Sequence, residues 1–176
     1  MAPALRIAFI FMTWCGFTSV AHANPFLSEA LVPTPEFTPQ EVVEIQLEAL
    51  RNNDAADNGI AVVYRFASPT NRAQTGPLPR FANMIKRGPY ALMLNYESLE
   101  FDEAEIVGNQ ARVRVVLVNQ YQKLGYFFIL TRQTEAPYKD CWMTDIVGVV
   151  QIGGTLALAL QVHRNPSMRN YKRQLL

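Results

Sequence analysis

The first question is which side chains could carry chemistry. Cys141 and His163 are the sole cysteine and histidine beyond residue 23, and they stand 22 positions apart in the chain. A lone cysteine cannot form an intramolecular disulfide in any compartment. Beside Trp142 in an apolar run, Cys141 reads as a small buried hydrophobe, the usual place of a free thiol. His163 opens a basic tail and reads as solvated. With one residue of each kind, metal sites built from His and Cys are excluded, and so are Ser-His and Cys-His nucleophile pairs within the domain. The stretch "FASPTNRAQTGPLPRF", residues 66–81, holds three prolines, one glycine and two arginines. A phosphate loop needs glycines that let the backbone approach the anion, usually after a strand. Here a helix comes first and only Gly76 is available, so residues 68–76 read as a corner between two helices.

Those side chains need elements to hold them. Thr38-Pro39-Gln40-Glu41 gives a helix start, with Thr38 as N-cap, Pro39 in the first helical position and Glu41 closing a capping box. Val43, Leu47 and Leu50 make its apolar stripe, Glu41, Glu44 and Glu48 its solvated side, and "NND" at 52–54 its end. A second helix runs from about Asp57 or Asn58, with Ile60, Val63, Tyr64 and Ala67 at helical spacing, and Ser68-Pro69 stops it. A third starts near Gly76-Pro77, buries Leu78, Phe81 and Ile85, and ends at Lys86-Arg87-Gly88. From residue 89 the period becomes two. Tyr90, Leu92, Leu94 and Tyr96 alternate with Ala91, Met93 and Asn95, which predicts a strand. Further strands are expected over 98–107, over 110–120 after Gly108-Asn109, over "LGYFFILTRQ" and over "CWMTDIVGVV". In the 110–120 strand Ala111, Val113, Val115 and Leu117 share one face, and Arg112 and Arg114 the other. After Gly153-Gly154, residues 155–162 alternate as a sixth strand, although 146–162 also fits a short membrane helix followed by basic residues. The Gly-rich start, Gln151 and the short length favour the hairpin. The expected class is α+β, with three N-terminal helices on a curved five- to six-stranded antiparallel sheet.

The flanks carry addresses. Residues 1–23 hold one charge, Arg6, ahead of the apolar core "IAFIFMTWCGF" and an Ala21-His22-Ala23 cleavage site. That is the build of a signal peptide, and it implies export to a periplasm, an organelle lumen or the outside. Residues 24–37 read as a leader, 38–162 as the domain and 163–176 as a basic tail. Between residues 24 and 162 there are 11 basic against 15 acidic residues. An acidic body without a basic stripe argues against nucleic acid as a partner.

Helices followed by an antiparallel sheet is the order of the nuclear transport factor 2-like cone, and the wording resembles one family within it, domain of unknown function 4864. The resemblance runs over about 41–149. It rests on Gln46 and Leu50, the "NND" ending in Asp54, Phe66-Ala67-Ser68-Pro69, Phe81 with Met84, Gly88-Pro89-Tyr90, and Trp142 followed by Gly148-Val149. The "TNRAQTGPL" connector and "CWMTD" are similar to the branch seen in algae and plants. What the resemblance implies is an apolar cone in which an acid can move a proton beside a carbonyl, because apolar surroundings raise an aspartate's pKa.

On that implication Asp145 and Tyr64 are the candidate catalytic residues. Asn95, Tyr96 and Trp142 are candidate wall residues, and Arg72 is a candidate ligand contact at the rim. Asp145 stands two residues from Met143 and from Val147, so all three are expected on one face of their strand. An aspartate among apolar groups is rare without a partner, and Arg112 or Arg114 on a neighbouring strand could supply one. Two functions follow. The preferred one is an exported noncatalytic module that binds a small apolar molecule, or a partner protein such as a second copy through the sheet. The other is a cofactor-free isomerase, cyclase or dehydratase using Asp145 and a tyrosine. Neither calls for a cofactor or a metal.

Overall fold

The computed structural model describes residues 31–152. The expected signal peptide, most of the expected leader, the strand expected over 155–162 and the basic tail lie outside those residues.

Helix α1, Pro39–Arg51, starts as its sequence requires. Thr38 Oγ1 accepts from the Glu41 amide at 3.3 Å, and Glu41 Oε2 accepts from the Thr38 amide at 2.8 Å. Two amide donors with no partner inside the helix are thereby satisfied. The buried side of α1 is broader than the three-residue stripe and includes Val42, Gln46 and Ala49. Helix α2, Asn58–Phe66, crosses α1 at Gly59, where a Cβ would fall 2.0 Å from the Ala49 carbonyl oxygen. Only glycine permits that approach.

The corner expected over 68–76 is itself a helix. Helix α3, Pro69–Thr75, has Ser68 as N-cap, with Ser68 Oγ accepting from the Asn71 amide at 3.1 Å. Ser68-Pro69 does end α2, but the same two residues start α3, because a serine held out of the helical region by the next proline has the geometry of an N-cap. Helix α4 follows as Leu78–Ile85 and buries Phe81, Ala82 and Ile85. It ends at Lys86, whose Nζ lies 2.7 Å from Asp57 Oδ2 at the start of α2.

The strand expected over 89–96 is not formed. Gly88–Leu94 is a 3₁₀ helix entered through Gly88 at φ 59°. Its buried residues are the neighbours Leu92 and Met93. Adjacent buried side chains cannot arise in a half-buried strand. They arise here because the segment packs against α1, α4 and the sheet.

The 98–107 strand is broken into β1, Ser98–Phe101, and β2, Glu105–Val107, both antiparallel to β3, Gln110–Val118. Strand β4 is Lys123–Arg132 and β5 is Trp142–Gln151, and the sheet order is β1–β3–β4–β5 with β2 beside β3. The class is α+β with an antiparallel sheet, as expected, but with four α-helices and one 3₁₀ helix among the described residues. Ala111, Val113, Val115 and Leu117 are all buried against the helices. Among the described residues no helix is long and apolar enough to cross a membrane.

Two expectations for Asp145 are corrected. The β4–β5 register slips between Ile129 and Leu130, which pair with Ile146 and Thr144, so Asp145 has no cross-strand partner. One extra residue reverses the face of everything beyond it. Val147 packs on the helix-facing core, whereas Met143, fully buried, is no part of that cluster. Met143, Asp145 and Val147 therefore do not share a face. Arg112 and Arg114 are also engaged elsewhere: Arg114 lies 3.2 Å from Asp102 and 2.6 Å from Glu105, and Arg112 lies 3.6 Å from Glu105.

Candidate functional site

A cavity of about 170 Å³ lies between the helices and the β4–β5 half of the sheet. Leu50 of α1, Val63 of α2, Phe81 and Met84 of α4, Met93 of the 3₁₀ helix and Phe128 of β4 supply apolar wall. Its polar groups come from three places: Gln46 on α1, Asn71, Gln74 and Thr75 on and beside α3, and Thr144 with Asp145 at the bulge.

These polar groups hold one another. Gln46, 1 % exposed, donates from Nε2 to Thr144 Oγ1 at 2.7 Å and to the Val42 carbonyl at 3.3 Å. The Thr144 carbonyl accepts from the Ser68 amide at 2.9 Å and from Asn71 Nδ2 at 3.1 Å. An isolated parallel bridge joins Ala67 to Thr144, so the α2–α3 junction closes the free edge of β5 at this point. Tyr90 also lines the cavity, and its hydroxyl donates to the Val147 carbonyl at 3.1 Å. Burial pushes the Tyr90 phenol above its ordinary pKa. Asp145 is half-buried, and its Oδ2 accepts from Thr131 Oγ1 at 2.5 Å.

Of the six residues singled out from sequence, Asp145 alone lines this cavity. Tyr64 turns its hydroxyl to the Gly76 carbonyl at 3.2 Å and tilts its ring against Phe81 at 5.4 Å. Arg72 lies on the other side of α3, its guanidinium 5.8 Å from the Tyr64 ring centre and 5.2 Å from that of Tyr138. Asn95 Oδ1 accepts from Asn119 Nδ2 at 3.4 Å. The Tyr96 hydroxyl donates to Glu48 Oε1 at 3.1 Å, and burial together with the Glu48 carboxylate pushes its pKa upward. Trp142 belongs to the helix-facing core. The structure brings none of these five to Asp145.

Gln46, Asn71 and Thr144 were missed. Gln46 had a readable signal, an uncharged polar residue inside an apolar stripe between Val43 and Leu50. Thr144 and Asn71 had none, because their roles depend on the contact between the α2–α3 junction and β5. Among the described residues no cluster of three or more His, Cys, Asp or Glu is placed to hold a metal ion.

Residues 34–151 match the model of a family described as "Domain of unknown function (DUF4864)". The chain belongs to the DUF4864 family. Gln46, Leu50, Ala67, Phe81, Met84 and Tyr90, six of the residues that carry its resemblance to DUF4864 proteins, all line the cavity. No curated protein and no solved structure matches the chain.

Proposed function

We propose that this chain is an exported, noncatalytic binding domain of the nuclear transport factor 2-like cone type, and that it holds one small, mostly apolar molecule in the cavity between its helices and β5. The observation that carries this reading is the partly open space of about 170 Å³ with apolar walls and a polar strip of Gln46, Thr144, Asn71 and Asp145. Binding sites for small molecules have this composition: mostly apolar lining with a few placed polar groups. An apolar cavity of about 150 Å³ is enough for benzene, so the size suits one ring or a short branched chain.

The noncatalytic side of the reading is supported by what surrounds Asp145. Its Oδ2 already accepts from Thr131, the lining Tyr90 spends its hydroxyl on the Val147 carbonyl, and the other candidate, Tyr64, spends its own on the Gly76 carbonyl. Proton transfer needs an acid and a base that both reach the substrate. Here one carboxylate stands without a second group free to complete the pair. The export part rests on the sequence of residues 1–23 and is checked by sequencing the N-terminus of the mature protein, which is expected to begin at Asn24.

Thermal unfolding in the presence of small monocyclic compounds tests the binding reading. A ligand that binds only the folded state raises the midpoint in proportion to ln(1 + [L]/Kd). At least one such compound is expected to raise it. Ala67→Leu, which fills the cavity from the residue that caps the end of α2, should abolish the rise without lowering the midpoint of the free protein. A panel with no effect on either protein would refute the reading.

A further inference from the structure

The polar strip has one open valence. Gln46 spends both amide hydrogens, on the Val42 carbonyl and on Thr144 Oγ1, and this fixes which way its amide points. Its Oε1 accepts from no described residue. Arg72 Nε is the sole side-chain nitrogen or oxygen among the described residues that is both fully occluded and without a partner. Gln46 Oε1 is therefore open to a space, and the space Gln46 borders is the cavity. Asp145 borders the same space, but its Oδ2 is held by Thr131, whose cross-strand partner Met143 is no part of the helix-facing core. The free valence that Gln46 offers to the cavity is thus an acceptor.

Resting on the binding reading above, we infer that the ligand is a small apolar alcohol, phenol or amine, whose hydrogen-bond donor is received by Gln46 Oε1. A buried acceptor without a donor costs free energy, and a ligand that supplies the donor recovers it. A site built around such a group rejects an analogue that lacks the donor far more strongly than an apolar pocket rejects one methylene. A water resting on Oε1 would be displaced at little cost by a hydroxyl that makes the same bond, but not by a hydrocarbon. A cavity without a free acceptor gives the opposite order. There phenol must leave its hydroxyl unpaired, and benzene wins.

Isothermal titration calorimetry with benzene, phenol, toluene and anisole is the test, run on the full chain and on Gln46→Met. Phenol is expected to bind about tenfold more tightly than benzene, the worth of one net hydrogen bond. Anisole, which carries the oxygen without the donor, should gain nothing over toluene. In Gln46→Met the preference for phenol should vanish while benzene still binds. Equal binding of phenol and benzene, or a preference for benzene, overturns the donor assignment and leaves the cavity reading standing. Binding of none of the four overturns both. A phenol preference that survives in Gln46→Met overturns Gln46 as the acceptor. Should Gln46→Met fail to fold, the order of the four ligands on the unaltered chain still decides.

Discussion

Strand β4 has two neighbours, and they treat it differently. Against β3 it runs in unbroken register from Gln110↔Thr131 to Val118↔Lys123. Against β5 the register slips by one residue at Asp145. The β3 side is finished by side chains alone, with Val113, Val115 and Leu117 packed under the helices and the arginines of the other face paired with carboxylates. The β5 side is finished by other elements: Ser68 and Asn71 take the Thr144 carbonyl, Tyr90 takes that of Val147, and Gln46 takes the Thr144 hydroxyl. A regular ladder needs nothing beyond its strands and leaves no room. The bulge lets helices and sheet part enough to hold a cavity, and the polar atoms it turns inward must then be satisfied one by one. The stable half and the open half share a single strand.

The largest test of that contrast is on the regular side. Leu117→Ala removes a fully buried side chain from β3, where it packs in the helix-facing core. Loss of about 3 kcal/mol is expected from denaturant unfolding, the usual cost of a large-to-small change in a core. A loss below about 1 kcal/mol would show that the β3–β4 ladder is not the stable half of the sheet. On the open side, Gln46→Leu keeps volume but leaves Thr144 Oγ1 without its donor. An expected cost of about 1–2 kcal/mol follows from one buried, unpaired polar group. If the variant is as stable as the parent, the polar strip contributes nothing structural and its groups are free for a ligand.

The same contrast explains what could be read from sequence. β3 was legible because Ala111, Val113, Val115 and Leu117 at every second position, with Arg112 and Arg114 between, have one physical solution, a half-buried strand. The capping box of α1 was legible because its two bonds are local. Thr38→Ala should accordingly cost about 1 kcal/mol, measured as a lower denaturant midpoint at unchanged slope. α3 was not legible, because "PTNRAQT" has no apolar stripe and its one buried residue, Asn71, is polar. Hydrophobic periodicity cannot find a helix that faces the core with an asparagine. Residues 89–96 misled for the opposite reason: apolar residues at alternate positions over so short a run fit a strand and a 3₁₀ turn alike. The face of Asp145 was out of reach, since a bulge shows only in the pairing of two strands.

The smallest expected effect lies far from both halves of the sheet, where Lys86 joins α4 to α2. The bond from the Lys86 ammonium holds the Asp57 carboxyl below its ordinary pKa, with Asn53 adding a second hydrogen bond. A depressed folded-state pKa contributes stability that is present above the unfolded value, about 3.9, and is lost as pH falls through the folded value. The pair is partly exposed, so Lys86→Ala should cost less than about 1 kcal/mol near neutral pH and nothing once the carboxyl is protonated. Equal losses at both pH values would show that Lys86 acts through packing of its stem instead.

The central claim is that the space beside the bulge receives a ligand, and methyl-resolved NMR reads it directly. Met84, Met93, Ile85 and Val147 each line the cavity, while Val116 and Val118 on β3 do not. On titration with phenol, the methyl signals of the first four residues should shift together, saturating along one binding curve, and those of Val116 and Val118 should stay fixed. Shifts scattered over the surface without saturation, or no shift at the four cavity residues, would contradict the account.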